Sequence, residues 1–126
     1  MRSLSFMLVD DSSITIKKLS KMLDELGHSV AYVANTGQQA ADNYLAVKPD
    51  IVTMDITMPD MDGIEATKRI IEQDKNAIII MVTSQGQEQM VMESIDAGAK
   101  GYVLKPVNKD KLKAHIGQVF AKYGTE

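Results

Sequence analysis

Asp10-Asp11, Asp55, Thr83-Ser84 and Lys105-Pro106 are the short segments whose side chains could together manage a phosphoryl group. Carboxylates held about 4 Å apart repel by roughly 4 kcal/mol at an effective dielectric of about 20, so a cluster of them calls for a cation. Mg²⁺ suits the role, because it takes hard oxygen ligands in octahedral array and keeps several waters. Two carboxylates and a backbone carbonyl then make a site open to a phosphate. Lys105 adds a mobile positive charge, and the Thr83 hydroxyl adds a hydrogen-bond donor to the same anion. An aspartate carboxylate is itself a phosphoryl acceptor that yields an aspartyl phosphate.

These segments must be carried to one place, and the pattern around them supplies the means. Short β-branched runs alternate with amphipathic stretches five times, the signature of a parallel sheet built from βαβ units. The predicted strands are Leu4–Val9, Ser29–Ala34, Ile51–Met54, Ala77–Thr83 and Gly101–Leu104. The third and fourth are nearly continuous apolar runs, as central strands covered on both faces require. The first helix shows a stripe of Leu19, Met22, Leu23 and Leu26, with Ser12 or Ser13 to cap it and Gly27 to end it. Thr36–Val47, Ile64–Gln73 and Gln87–Ala97 follow as helices, and Asn108 caps a last one carrying Leu112, Ile116, Val119 and Phe120. Right-handed crossovers make this an α/β, doubly wound open sheet with helices on both faces. Such sheets bind ligands outside the carboxyl ends of their strands, where every segment named above falls.

The bulk composition narrows the function classes. One domain is expected over 1–126, since the 126 residues fill one compact unit. A net charge of −3 lacks the basic surplus that duplex DNA or anionic lipid favours, so no direct nucleic-acid or membrane partner is expected. The sequence has no cysteine, which rules out disulfides and thiolate metal sites and suits the cytoplasm. The apolar run before Asp10-Asp11 is too short and too acidic for a signal peptide.

Four stretches, LVDDS at Leu8–Ser12, DITMPDMDG at Asp55–Gly63, VTSQ at Val82–Gln85 and YVLKP at Tyr102–Pro106, stand in order along the chain. With them the sequence resembles the response-regulator receiver domain in its stand-alone, CheY-like form, over essentially its whole length. The resemblance implies a flavodoxin-like (βα)5 sheet of strand order 2-1-3-4-5, an order that general accounts of doubly wound folds give for CheY itself. It makes Asp55 the phosphoacceptor, and Asp11, Asp55 and the Thr57 backbone carbonyl direct Mg²⁺ ligands, with Asp10 holding a metal-bound water. Lys105 and Thr83 would contact the phosphoryl group, and Lys105-Pro106 would be a cis peptide. Thr57 and Gln85 occupy the positions that tune phosphoryl lifetime in that family. A shift of Thr83 would be coupled to inward rotation of Tyr102, reshaping the face formed by the fourth helix, fifth strand and fifth helix.

By the same resemblance the protein is no enzyme in the ordinary sense, but a phosphoacceptor with self-phosphorylation and autodephosphorylation activity. The donor would be a sensor histidine kinase. With no DNA-binding or catalytic segment after residue 126 in this sequence, the signal is expected to leave by protein contact. A flagellar switch protein in chemotaxis is the favoured target, a histidine phosphotransfer protein in a phosphorelay the alternative, and the protein is expected to be a monomer. Two other classes fit less well. A Mg²⁺-dependent phosphohydrolase needs a second acid where Ile56-Thr57-Met58 stands, and a flavin phosphate would meet Asp10-Asp11 and no glycine-rich loop.

Individually these residues have plainer readings: Asp10 or Asp11 could cap the first helix, and Asp62-Gly63 could be a turn. Met54 and Met81 are expected in the core. Met90 and Met92, two apart on one helix, cannot both face inward. His28 and His115 are expected at the surface without catalytic or metal roles, and the Lys109, Lys111 and Lys113 run reads as a solvated face.

Overall fold

A computed structural model describes residues 2–124; Met1, and Thr125 and Glu126 at the end of the tail, lie outside the described residues. Five strands and five helices alternate: β1 Ser5–Val9, α1 Ser13–Glu25, β2 Ser29–Ala34, α2 Gly37–Val47, β3 Ile51–Met54, α3 Gly63–Gln73, β4 Ile79–Thr83, α4 Glu88–Ala97, β5 Gly101–Leu104 and α5 Lys109–Tyr123. The strands are parallel in the order β2-β1-β3-β4-β5, as expected.

Alternation along each strand divides the core in two. Met7, Val9, Val52, Met54, Ile79 and Met81 face the side covered by Ala40 and Tyr44 of α2 and Ala66 and Ile70 of α3. Phe6, Leu8, Ile51, Ile80 and Val82 face Leu19 and Leu23 of α1 and Leu112, Ile116 and Phe120 of α5. Each large apolar side chain buried this way stabilises the fold by about 1.5–3 kcal/mol. The central strands β3 and β4 are buried at every position, which is why their sequences show no polar alternation.

Helix starts follow their capping chemistry. Ser12, Thr36, Asp62 and Asn108 each accept a backbone N–H of the first turn with the side chain. Gln87, expected inside the fourth helix, stands at its cap position without such a bond. Two strands start later than the apolar pattern suggests. The Leu4 N–H is taken by His28 Nδ1 at 3.0 Å instead of a neighbouring strand, and the Ala77 N–H turns back to the Asp74 carbonyl at 3.0 Å. His28 is therefore half-buried with its ring near Phe6, not a plain surface residue, and His115 is half-buried too. Met54 and Met81 are fully buried, whereas Met90 packs against the core and Met92 points outward.

Parallel register puts the strand ends at one edge. Val9 lies beside Met54 and Met54 beside Met81, so Asp10 and Asp55 leave the sheet together. Thr83 lies beside Leu104, so Lys105 follows at the same edge.

Candidate functional site

At that edge one oxygen from each of Asp10, Asp11 and Asp55 lies within 4.8 Å of the others. Asp10 and Asp55 are buried, at 2% and 7% exposure, while Asp11 faces solvent. Lys105 supplies a single ammonium to this group: its Nζ donates to Asp10 Oδ2 at 2.8 Å and lies 3.7 Å from Asp55 Oδ1. The Asp10 carboxylate also accepts the Ser12 N–H at 2.9 Å, so one aspartate both serves the cluster and holds the turn into α1. The cap of α1 itself is Ser12.

Asp55 Oδ1 accepts the Ile56 N–H at 2.9 Å, which fixes the carboxylate at the mouth of β3. Burial, and next the charge of Asp10, push its carboxyl up from an ordinary 3.8 to about 6; Lys105 and the Ile56 N–H pull the other way, and Asp11 adds to the rise. The carboxylate is therefore ionised at neutral pH yet under-compensated, with three acids facing one lysine. A donor set of hard oxygens with residual negative charge fits Mg²⁺, and the cluster is compatible with holding it.

Thr83 is fully buried at the end of β4, and its Oγ1 accepts the Gln85 N–H at 3.2 Å. Its hydroxyl hydrogen remains available to a further acceptor. Tyr102 is half-buried, packs against the core and donates its hydroxyl to the Gln85 carbonyl. Thr57 is exposed, and its hydroxyl accepts a hydrogen bond from the Gln85 side-chain amide. The Lys105-Pro106 peptide is cis. A cavity of about 270 Å³ opens behind Lys105, lined by Leu19 and Met22 of α1 and by Pro106 and Val107.

Sequence reasoning left out one participant. A Cβ on Gly63 would lie 1.9 Å from the Asp55 carbonyl oxygen and 2.9 Å from Met54 Cγ, so no larger residue lets α3 start this close to the acceptor. Gly63 also donates its N–H to the Ile56 carbonyl at 2.8 Å, and Asp62 caps the helix. An Asp-Gly pair reads as a turn from sequence, and only the approach of two backbones reveals the need for glycine here.

A five-stranded doubly wound sheet with an acidic cluster, a lysine and a buried threonine at its carboxyl edge defines a receiver. The chain belongs to the response regulator receiver domain family, which it matches over residues 6–117. It is 42% identical over 113 residues to the chemotaxis protein CheY of Thermotoga maritima, covering 90% of this chain and 94% of that one. It is likewise 42% identical over 112 residues to the chemotaxis protein CheY of Bacillus subtilis, covering 89% and 93%. Among solved structures, a CheX-CheY-BeF3-Mg complex from Borrelia burgdorferi contains a chain that superposes with a TM-score of 0.91. The two share 37% identity, over 94% of this chain and 90% of that one. No helix among the described residues is long and apolar enough to cross a membrane.

Proposed function

We propose that this protein is a response regulator of chemotaxis that takes a phosphoryl group from a sensor histidine kinase onto Asp55 and signals by protein contact. The observation that carries the proposal is the buried, under-compensated Asp55 at the centre of the acidic cluster, 3.7 Å from the Lys105 ammonium. The kinship with chemotaxis proteins named CheY supplies the biological setting.

In the transfer, an Asp55 carboxylate oxygen attacks phosphorus while the bond from phosphorus to the donor imidazole nitrogen breaks, and the imidazole takes up a proton. Asp55 is ionised at neutral pH and so presents the nucleophile without a base. Lys105, now on Asp10, would turn to the incoming phosphoryl oxygens, and the Thr83 hydroxyl would donate to them. Asp11, Asp55 and the Thr57 backbone carbonyl would hold Mg²⁺, with Asp10 acting through a water, and the ion would offset the carboxylates and the charge on the phosphoryl oxygens. The added group brings about −1.5 to −2 charges and three acceptor oxygens, enough to draw in Thr83 and tighten Lys105. The same site would return the group to water as autodephosphorylation, so it acts as a phosphoacceptor and not as a turnover enzyme.

The output surface is the face of α4, β5 and α5. Met92 and Ile95 of α4 are both 58% exposed, and Leu104 of β5 is 41% exposed, an apolar group that a partner would cover. The test is to incubate the chain with a chemotaxis histidine kinase carrying a radiolabelled phosphoryl group. The label should pass to the chain and not to Asp55→Asn; label that stays on the kinase, with a known receiver accepting it in parallel, would overturn the proposal.

A further inference from the structure

We propose that Gln85 is a positioning residue that ties the acceptor loop to the switch loop, so that an event at Asp55 reaches Tyr102 through the Gln85 side chain in addition to the Thr83 hydroxyl. The inference rests on Asp55 being the phosphoryl acceptor and adds the route by which its loading is felt.

Gln85 bonds to three separate parts of the structure. Its side-chain amide donates to the Thr57 hydroxyl, two residues beyond Asp55. Its backbone N–H donates to Thr83 Oγ1 at 3.2 Å. Its backbone carbonyl accepts the Tyr102 hydroxyl. Among the described residues, the bond from Gln85 to Thr57 is the one direct hydrogen bond between residues 55–62, which lead from β3 into α3, and residues 83–87, which lead from β4 into α4. The sheet ties the strands below these loops, but its β3–β4 pairing ends at Met54 and Met81. Above that level the side-chain amide is the link.

The two ends of the link differ in chemistry. The backbone bonds to Thr83 and Tyr102 are available to any residue at position 85, whereas the bridge to Thr57 needs a side chain that is long and polar. Removing the amide should therefore leave the switch loop folded, and still in reach of the loaded site through Thr83, while removing its direct tie to the acceptor loop. A hydrogen bond of this kind biases an equilibrium by up to about tenfold, which suits a coupling element better than a structural pillar.

Backbone amide signals of the whole ¹⁵N-labelled chain, followed by NMR while Mg²⁺ and then beryllofluoride are added, test the inference. Signals of Asp55 and Ile56 report loading of the site, and those of Tyr102 and Leu104 report the response. In the native chain both sets should shift. In Gln85→Leu the first set should shift as before and the second by about half or less. Gln85→Glu, which can accept the Thr57 hydroxyl hydrogen, should recover most of the response. An undiminished response at Tyr102 and Leu104 in Gln85→Leu would overturn the coupling while leaving the acceptor reading intact. Asp55 and Ile56 signals that ignore both additions in the native chain would overturn the acceptor reading, and the coupling with it.

Discussion

Replacing Asp55 by asparagine should make the metal-free protein more stable at neutral pH, although it removes the group at the centre of the proposed chemistry. In the fold the Asp55 carboxyl titrates near 6 against an ordinary 3.8, chiefly because burial and the neighbouring Asp10 penalise its charge. A pKa raised by folding means that the native state holds the proton more tightly than the unfolded chain does. The stability it contributes is complete below 3.8 and lost as pH rises through about 6. At about 1.4 kcal/mol per pH unit, the ionised carboxylate costs the fold at most about 3 kcal/mol, an upper bound because the cluster opens to water beside the exposed Asp11. Asparagine is neutral, has the same shape and keeps an oxygen for the Ile56 N–H. Urea denaturation with a chelator present should give Asp55→Asn an advantage of up to about 3 kcal/mol near pH 8, seen as a midpoint higher by about 1–3 M. The advantage should shrink steadily toward about pH 4, and Mg²⁺ should narrow it at neutral pH by stabilising the native chain. An asparagine variant no more stable than the native chain near pH 8, or an advantage unchanged between about pH 4 and 8, would refute the reasoning.

The same geometry makes further predictions. Gly63→Ala places a methyl group 1.9 Å from the Asp55 carbonyl oxygen, a backbone atom that cannot step aside, and should cost at least about 1–3 kcal/mol by chemical denaturation; an unchanged midpoint would contradict the packing described. Lys105→Met removes the ammonium 3.7 Å from Asp55 Oδ1, so the Asp55 carboxyl, followed by NMR, should titrate above about 6; a lower or unchanged value would count against it. Burial holds the His28 imidazole below its ordinary 6.5, and its Nδ1 accepts the Leu4 N–H, so its contribution is present above that value and lost as pH falls. The native chain should therefore lose more stability between about pH 7 and 5 than His28→Phe does, and parallel losses would show that His28 does not titrate in this window.

Much of this architecture is written in local chemistry. The unbroken apolar runs of β3 and β4 announce strands covered on both faces, and Ser12 and Asn108 sit where caps must. The meeting of Asp10, Asp11 and Asp55 also follows, because parallel strands deliver their carboxyl ends to one edge. What escaped the sequence depends on contacts between distant segments. Leu4 looks like a strand residue until His28, across the first βα unit, takes its N–H. Gly63 looks like a turn residue until the Asp55 backbone is seen pressed against it. Gln85 stands out as a position within a motif, but its bonds to Thr57 and Tyr102 come from two other loops and strands that no local pattern relates.

The central claim is that Asp55 accepts one phosphoryl group with the help of Mg²⁺, and the intact mass of the chain after brief incubation with acetyl phosphate tests it most directly. The account predicts a single phosphoryl adduct that appears with Mg²⁺, disappears in chelator and is missing from Asp55→Asn. An adduct that persists in Asp55→Asn, or one indifferent to chelator, would contradict the assignment of acceptor or of metal. Release of inorganic phosphate far beyond one equivalent, without a stable adduct, would mark the crevice as a hydrolase site instead.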